Sequence, residues 1–337
     1  MSEPIILGIE SSCDDTSAAI IAGNNILSNV VANQLVHQQY GGVVPELASR
    51  AHQQNIVPVV QAALDNAKIS QKKLDAIAFT QGPGLMGSLL VGSSFAKSIS
   101  AALNIPLIGV NHMQAHIFAH FIADANESSP PFPFLCLTVS GGHTQIVLVK
   151  SYTELEVIGE TRDDAAGEAF DKIGKILGLN YPAGPEIDKL AKEGNPEAFK
   201  FTKPSLPDYE FSFSGLKTGV MNFVNNEKQK NPNFIQENLT DLCASVQHTI
   251  TDICIEKFKK AADDLNIKHL ALAGGVSANS ELRRKLKALE KQHYTTYIPK
   301  FEYTTDNAAM IAMVGAIKFK NNAFDSLDIK PQARFKI

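Results

Sequence analysis

Basic residues are not in excess in this chain of 337 residues, where 31 lysines and arginines are matched by 35 aspartates and glutamates. The formal net charge is −4 at pH 7. Proteins that bind nucleic acid through a broad surface are usually strongly basic. The composition therefore argues against a generic nucleic-acid binder, and any contact with nucleic acid has to come from a local patch or from a partner protein.

Cysteine is also scarce, and the few cysteines are far apart, with no CxxC pair among them. Scattered thiols are typical of a reduced, cytosolic protein and not of a disulfide framework. The chain has no apolar run long enough to span a membrane, and its first residues do not have the pattern of a signal peptide. We therefore expect a cytoplasmic protein without a membrane contact. The cysteines are Cys13, Cys136, Cys243 and Cys254.

Hydrophobic residues make up 44% of the chain, which is enough for sizeable cores, and the length suggests about two domains. Three prolines and two serines between residues 126 and 133 indicate a linker. We predict an N-terminal lobe over residues 1–131 and a C-terminal lobe over residues 132–306. The final helix and tail, residues 307–337, are expected to pack back towards the N-terminal lobe.

The same pattern of strand, polar turn, strand, turn and strand occurs twice, over residues 5–31 and again over residues 134–160. In both copies a threonine, Thr16 or Thr144, closes the polar turn. Two copies in two halves predict a duplicated α/β fold with a ligand site in the cleft between them. Chance similarity of two strand meanders is the alternative interpretation.

Two histidines, His112 and His116, stand four residues apart at the start of a predicted helix. Positions i and i+4 share a helix face, so both imidazoles can bind one metal ion. An ordinary polar helix face is the alternative, because His120 continues the series. Asp306 is the candidate third ligand, although it also precedes a helix, where aspartate is a common N-cap. Two histidines and a carboxylate are typical of non-haem Fe(II), and zinc accepts the same set.

Three turns that follow strands are rich in small polar residues, over residues 10–16, 140–144 and 274–279, and the second and third also contain paired glycines. Glycine allows backbone N–H groups to approach an anion, and the third turn leads directly into a helix, whose N-terminus favours negative charge. Together the turns indicate a nucleotide site. We also predict a helix over residues 163–177 with an acidic, mostly solvated first half. Residues 201–232 are mixed in pattern, and residues 205–207 and 211–217 within them look loop-like.

Eight stretches resemble the tRNA N6-adenosine threonylcarbamoyltransferase family, in its bacterial type, and they occur in the family's order over nearly the whole chain. The stretches are GIESSCDDTSAA (8–19), PELASRAH (45–52), NHMQAH (111–116), VSGGHTQIV (139–147), DDAAGEAFDKIGKILGLNYPAGP (163–185), FSFSGLKT (211–218), AGGVSANSELR (273–283) and TTDNAAMIA (304–312).

The resemblance implies a two-lobed actin-like ATPase fold, shared with sugar kinases and Hsp70, with duplicated RNase H-like lobes and an interdomain cleft. It implies transfer of the L-threonylcarbamoyl group from threonylcarbamoyl-adenylate to N6 of the adenosine just 3′ of the anticodon, with release of AMP. The tRNAs concerned read codons that begin with adenine. A shorter paralogous subunit and a P-loop ATPase subunit are the implied partners, and we expect the predicted helix 45–66 to form the dimer surface.

The resemblance also implies roles for individual residues. His112, His116 and Asp306 are the expected metal ligands, usually of one iron per subunit, whereas His120 is not a family ligand. Ala183 stands where the family usually has glycine. The expected contacts to the adenylate are Thr138, Val139, Ser140, Gly141, Gly142, Asp171, Gly184, Asp188 and Asn279.

The chemistry of the implied reaction sets what the protein has to supply. The donor carbonyl is already activated, but the adenine amine is weakly basic and needs proximity and a base. We expect Asp14 or Asp15 to accept the proton. A kinase or ATPase of the same fold would leave the metal ligands without a role, and a non-catalytic scaffold need not keep them. A zinc metallopeptidase would lack its base, because Met113 stands where glutamate is usual.

Overall fold

The computed structural model describes residues 3–34, 37, 40–123, 128–204 and 206–337. These residues divide into two compact units, unit 1 within residues 1–129 and 299–337, and unit 2 over residues 130–298. The first division falls inside the predicted linker, of which Asn126 and Glu127 lie outside the described residues. Residues 299–306, which we assigned to the C-terminal lobe, belong to unit 1.

Unit 1 is built on a mixed sheet of five strands, as far as the described residues extend. The strands are β1 (Ile5–Glu10), β2 (Thr16–Ala22), β3 (Asn25–Ala32), β4 (Ala76–Gly82) and β5 (Leu107–Asn111). Their order is β3-β2-β1-β4-β5, with β1 antiparallel to β2 and parallel to β4. The apolar runs of β1 and β4 are buried on both faces, which is typical of strands covered by helices on two sides.

Helices cover both faces of this sheet. Helices α1 (Pro45–Ala67) and α2 (Met86–Leu103) pack on the face that carries Leu7 and Ile9 of β1. Helix α9 (Ala308–Lys320) packs on the other face, where Gly8 is required because an added Cβ would lie 2.6 Å from the carbonyl oxygen of Ala308. Helix α9 is buried almost all round, but no helix in the described ranges is long and apolar enough to cross a membrane.

Unit 2 repeats the sheet of unit 1 in topology. Its strands are β6 (Phe134–Val139), β7 (Thr144–Val149), β8 (Leu155–Glu160), β9 (His269–Ala273) and β10 (Thr295–Tyr297). Their order is β10-β9-β6-β7-β8, and β6 is antiparallel to β7 and parallel to β9. The first three strands of each unit are thus an antiparallel meander with parallel strands beyond it, and the predicted duplication is confirmed.

Unit 2 also contains a helix where we predicted a loop. The helices of unit 2 are α4 (Ala166–Leu177), α5 (Ala183–Ala191), α6 (Ser214–Lys230), α7 (Phe234–Asp264) and α8 (Ser280–Ala288). The loop-like interpretation of residues 211–217 is wrong from Ser214 onwards, because α6 begins there and buries Leu216, Val220 and Val224 along one stripe. The predicted helix over residues 163–177 begins at Ala166 and not at residue 163, and Glu168 lies in its first turn. Asp163 precedes α4 and instead accepts hydrogen bonds from the first backbone N–H groups at the start of α6.

Candidate metal centre and active site

Both candidate histidines lie on one short helix that begins where a buried strand ends. Helix α3 (His112–Phe118) follows β5 directly, and the side chain of Asn111 caps it by accepting hydrogen bonds from two backbone N–H groups of its first turn. The rings of His112 and His116 meet edge to face, with 4.7 Å between their centroids. Both side chains are buried, so the i,i+4 spacing presents two imidazoles to one point inside unit 1.

Asp306 reaches the same point from the segment before α9. Its Oδ1 atom lies 3.4 Å from Nε2 of His112 and 3.2 Å from Nε2 of His116. The alternative role as N-cap of α9 is wrong, because the side chain of Asn307 accepts the hydrogen bond from Met310 N. Asp306 is therefore free of capping and directs its carboxylate at the two imidazoles.

The three side chains fit a divalent transition metal by their donor chemistry. Each of His112, His116 and Asp306 offers one ligand atom, and these atoms lie within 4.8 Å of one another. Neither ring nitrogen of His116 makes a well-aligned hydrogen bond to any described residue, although the ring is buried. Nε2 of His116 lies 3.2 Å from the Asp306 carboxylate without a well-aligned hydrogen bond, and a metal bound there would engage both groups. His120 lies beyond α3 in a 3₁₀ turn and is not part of this group.

Glu10 is the residue that sequence reasoning missed, because we counted it only as the start of a phosphate turn. Its carboxylate is fully buried at the end of β1. Oε2 lies 3.0 Å from Nδ1 of His112 and accepts a hydrogen bond of 2.6 Å from Oγ1 of Thr80. Oε1 accepts the backbone N–H of Ser12. Glu10 therefore holds the proton of His112 on Nδ1 and leaves Nε2 available to a metal.

The electrostatics of this cluster match a site that carries positive charge. Burial opposes protonation of His112, but the carboxylates of Glu10 and Asp306 outweigh it and raise the pKa of His112 well above its usual value. Burial lowers the pKa of His116. Burial also opposes ionisation of Asp306, but the neighbouring imidazoles outweigh it and hold the pKa of Asp306 far below its usual value. The ionised carboxylates of Glu10 and Asp306 thus face the protonated ring of His112. A bound metal cation would replace the positive charge of that ring.

The polar turn after β1 carries the two candidate bases. Asp14 and Asp15 are both half-buried. Burial, followed by the neighbouring carboxylate of Asp14, raises the pKa of Asp15 to about 7. His52 of α1 anchors the turn, with Nδ1 2.7 Å from Oγ1 of Thr16 and Nε2 3.1 Å from the carbonyl oxygen of Cys13. The structure thus holds one carboxylate that can exchange a proton near neutral pH.

The glycine turn of unit 2 is open above its backbone. An added Cβ at Gly141 or Gly142 would meet no atom within 4 Å. The turn over residues 274–279 lies next to it, because a Cβ at Gly274 would be 2.5 Å from the carbonyl oxygen of Val139. Residues 140–142 and 274–279 are therefore adjacent at one end of the unit 2 sheet, as a shared ligand site requires.

Asp171 supports a second part of this region. Its Oδ1 atom accepts a hydrogen bond of 2.8 Å from the backbone N–H of Ala183, which fixes the start of α5. Burial raises the pKa of Asp171. A Cβ at Gly184 would meet only the Cβ of Phe170, at 3.9 Å, so the backbone there is also open. Asp171 thus positions the first turn of α5, which carries Gly184.

The side chains of the remaining expected contact residues are buried or hydrogen-bonded within the protein. Thr138 and Val139 are buried in β6. Asp188 accepts hydrogen bonds from both the backbone N–H and the hydroxyl of Ser280 at the start of α8. The side chain of Asn279 caps the same helix with its oxygen and donates from its amide nitrogen to a glutamine of α7. These side chains fix the turn around α8, and a ligand there would meet mainly backbone.

Sequence comparisons place the chain within a single family. A family model described as "TsaD: tRNA N6-adenosine threonylcarbamoyltransferase" matches residues 25–313. A tRNA N6-adenosine threonylcarbamoyltransferase from Riemerella anatipestifer is 62% identical over 338 residues, covering 100% of this chain and 99% of the relative. A second, from Christiangramia forsetii, is 60% identical and is covered over 98% of both chains. The chain belongs to the tRNA N6-adenosine threonylcarbamoyltransferase family.

Solved structures of much lower identity show the fold. Full-length HypF in its phosphate- and nucleotide-bound form has a TM-score of 0.62 at 13% identity, over 96% of this chain and 48% of that chain. Component A of the Acidaminococcus fermentans (R)-2-hydroxyglutaryl-CoA dehydratase has a TM-score of 0.53 at 14% identity, over 94% and 98%. These proteins have the actin-like ATPase fold, so the predicted fold class is confirmed.

As a tRNA N6-adenosine threonylcarbamoyltransferase, the enzyme transfers a threonylcarbamoyl group to tRNA. The predicted transferase activity is thus confirmed, and the kinase and peptidase alternatives are set aside. The structure agrees for the peptidase, because Met113, at the position of the usual zincin glutamate, is 2% exposed and apolar.

Proposed function

We propose that the enzyme takes the L-threonylcarbamoyl group from threonylcarbamoyl-adenylate and attaches it to N6 of the adenosine 3′-adjacent to the anticodon, releasing AMP. The tRNAs are those that read codons beginning with adenine. The observation that supports an adenylate donor is the open backbone of Gly141 and Gly142 beside the turn over residues 274–279. Backbone N–H groups without a covering side chain are suited to a phosphate.

The reaction requires one bond to form and one to break. N6 of the adenosine attacks the carbamoyl carbon, the bond from that carbon to the phosphate oxygen breaks, and AMP leaves with the bonding electrons. The proton that N6 loses passes to a carboxylate, and we assign this role to Asp15 in preference to Asp14. A carboxylate with a pKa of about 7 accepts a proton more readily than an ordinary aspartate. Because the donor is already activated, no covalent enzyme intermediate is needed.

We propose that His112, His116 and Asp306 hold one Fe(II) per chain, with zinc as the alternative. When bound, the metal supplies positive charge that polarises the donor carbonyl or orients its phosphate. The protein orients the ligands. Glu10 fixes Nδ1 of His112, and Asn307 caps α9, which leaves the Asp306 carboxylate available to the metal. The assignment is supported by the ring nitrogens of the buried His116, which form no well-aligned hydrogen bond although Asp306 lies 3.2 Å from Nε2.

We propose that a shorter paralogous subunit docks on α1 and that a P-loop ATPase also takes part. Val57 of α1 is 59% exposed, and Met86 and Leu90 on the neighbouring α2 are 44% and 48% exposed. Such a set of exposed apolar side chains on two adjacent helices is suited to a helical partner. Val57→Glu should abolish co-purification with the paralogue, and Leu265→Glu, an exposed apolar position in unit 2, should not. Equal recovery with both variants would refute the surface.

We also propose that the enzyme works in the cytoplasm. All four cysteines are free thiols. Burial raises the pKa of the Cys136 and Cys254 thiols to about 12, so these groups stay protonated. Buried, protonated thiols are suited to a reducing compartment.

The donor and acceptor are tested in one assay. The enzyme and its partners receive threonylcarbamoyl-adenylate labelled in threonine, with a tRNA transcript that has adenosine or guanosine 3′ of the anticodon. We expect label only in the adenosine transcript and one AMP released for each label transferred. Equal labelling of the guanosine transcript would refute N6 as the acceptor. Label without AMP release would refute the adenylate as the donor.

A further inference from the structure

The C-terminal residues 325–336, the C-terminal strap, lie along the edge of the unit 1 sheet. Strand β5 is at the end of the strand order, and Asp325 continues the sheet there, donating its backbone N–H to Leu107 O at 2.8 Å. The Asp325 carboxylate accepts the backbone N–H of Gly109 at 2.8 Å. Further along, Gln332 N donates to Gln81 O at 2.8 Å. The strap is irregular in backbone conformation and is held to unit 1 by one isolated bridge to β5 and by hydrogen bonds near the end of β4.

Two close approaches show that the strap is built into the fold. A Cβ at Gly109 would lie 2.5 Å from Cδ1 of Ile329, whose side chain packs against the unit 1 core. A Cβ at Gly82 would lie 1.9 Å from Gln332 O. A side chain at Gly82 would clash with the strap backbone, and one at Gly109 would force the Ile329 side chain to move, so the strap packs closely at both positions.

The strap contacts the residue that starts the metal-ligand helix. Asn111 uses its side-chain oxygen to cap α3, and its amide nitrogen donates to Phe335 O at 3.3 Å and Lys336 O at 3.2 Å. Asn111 is buried, and both of these hydrogen bonds are made within the protein. One side chain therefore joins the end of the strap to the first turn that carries His112.

A second path leads from the strap to the other side of the same imidazole. Gly84 N donates to Ala333 O at 3.3 Å, and the next residue, Leu85, donates its N–H to Ser12 O at 2.7 Å. Oγ of Ser12 lies 3.3 Å from Nδ1 of His112. The strap thus supports His112 from its helix and from the turn that faces its ring.

We propose that the C-terminal strap is a positioning element of the metal centre, acting through Asn111. By fixing the start of α3 it sets where the Nε2 atoms of His112 and His116 lie. This inference rests on the proposed metal centre. Removing a residue that orients a metal ligand typically lowers the metal affinity about 10- to 100-fold.

Two variants separate the strap contact from the helix cap. Asn111→Asp keeps an oxygen that caps α3 but loses the amide donor to the strap, and deletion of residues 335–337 removes the two acceptors. We expect each to weaken Co²⁺ binding about tenfold, measured by the visible spectrum of bound cobalt. Their combination should be no weaker than either alone, because both remove one contact. Lys336→Ala keeps its backbone carbonyl and should bind Co²⁺ as wild type does.

Hydrogen exchange of the metal-free protein separates failure of the strap from failure of the metal centre. We expect amides of α3 to exchange faster in both variants and at the wild-type rate in Lys336→Ala. Wild-type Co²⁺ affinity in both variants would overturn the proposal. If the wild-type protein binds no Co²⁺ but the α3 amides still exchange faster in both variants, the strap does stabilise α3 and the proposed metal centre is refuted.

Discussion

Nδ1 of His112 lies 3.0 Å from Oε2 of Glu10, a fully buried carboxylate 102 positions away in sequence. This contact joins the end of the first strand to the start of the histidine helix. Because Nδ1 is engaged there, only Nε2 of His112 faces Asp306 and the proposed metal. The orientation of a ligand is therefore set by a residue that does not itself belong to the ligand group.

Replacing Glu10 should weaken metal binding while the fold is retained. The Glu10 carboxylate faces three N–H or O–H donors. Glutamine has only one acceptor oxygen, and its NH₂ group would face donors of the protein with which it cannot form hydrogen bonds. We expect Glu10→Gln to lose about 10- to 100-fold in metal affinity, measured by competition with a chelator of known affinity. Glu46→Gln, at an exposed glutamate of α1, is the matched control. Equal affinities would contradict the role of Glu10.

Metal binding should release a proton from His112. Against the effect of burial, Glu10 and Asp306 raise the pKa of His112, so the metal-free site holds an imidazolium at neutral pH. A metal needs the neutral ring, and binding must therefore displace that proton. We expect about one proton per metal at pH 7 and weaker binding as the pH falls. Calorimetry in two buffers of different ionisation enthalpy measures the proton count, and zero protons would contradict the account.

Stability of the metal-free protein should fall as the pH rises from about 4 to about 7 because of Asp15. Its pKa is 3.8 as an ordinary aspartate and is raised to about 7 by burial in the fold. The folded state thus binds more protons than the unfolded state in this window, and this contribution is lost as Asp15 ionises. We expect Asp15→Asn to be more stable than wild type above pH 7 and to gain little below pH 4. Parallel denaturation curves across the window would contradict this.

A methyl group at Gly142 should impair donor binding without harming the fold. An added Cβ meets no protein atom there, so the cost falls on a ligand that approaches the backbone. A clash of about 1–3 kcal/mol corresponds to roughly ten- to hundredfold weaker binding. We expect Gly142→Ala to raise KM for the adenylate with an unchanged melting temperature. Gly219→Ala, equally open but on α6, should leave KM unchanged. An unchanged KM in Gly142→Ala would place the donor elsewhere.

The sequence predicted what depends on local periodicity. The i,i+4 spacing of His112 and His116 put both on one helix face, and the alternation of strands and turns revealed the duplicated sheets. Asp306 could be named only as a candidate third ligand beside its N-cap alternative, and the resemblance then favoured it, because a contact over almost two hundred residues leaves no local pattern.

Other features depend on tertiary contacts and could not be read from the chain. Glu10 looked like part of a turn, and its role follows only from the tertiary contacts of its carboxylate with His112 and Thr80. Helix α6 was missed because Gly215 and Gly219 obscured its stripe, and Asp163, its capping residue, is 50 positions from Phe213. Asn307, and not Asp306, caps α9, which spacing cannot distinguish.

The central claim is that His116 serves a metal and not the fold. Its ring nitrogens make no hydrogen bond of good geometry, so His116→Leu removes a ligand at similar volume and takes away only the 3.2 Å contact of Nε2 with the Asp306 carboxylate. The most direct test measures bound iron and single-turnover transfer of label to tRNA in wild type, His116→Leu and His120→Ala. We predict loss of iron and of transfer in His116→Leu, with His120→Ala like wild type. Full iron and full transfer in His116→Leu would contradict the account.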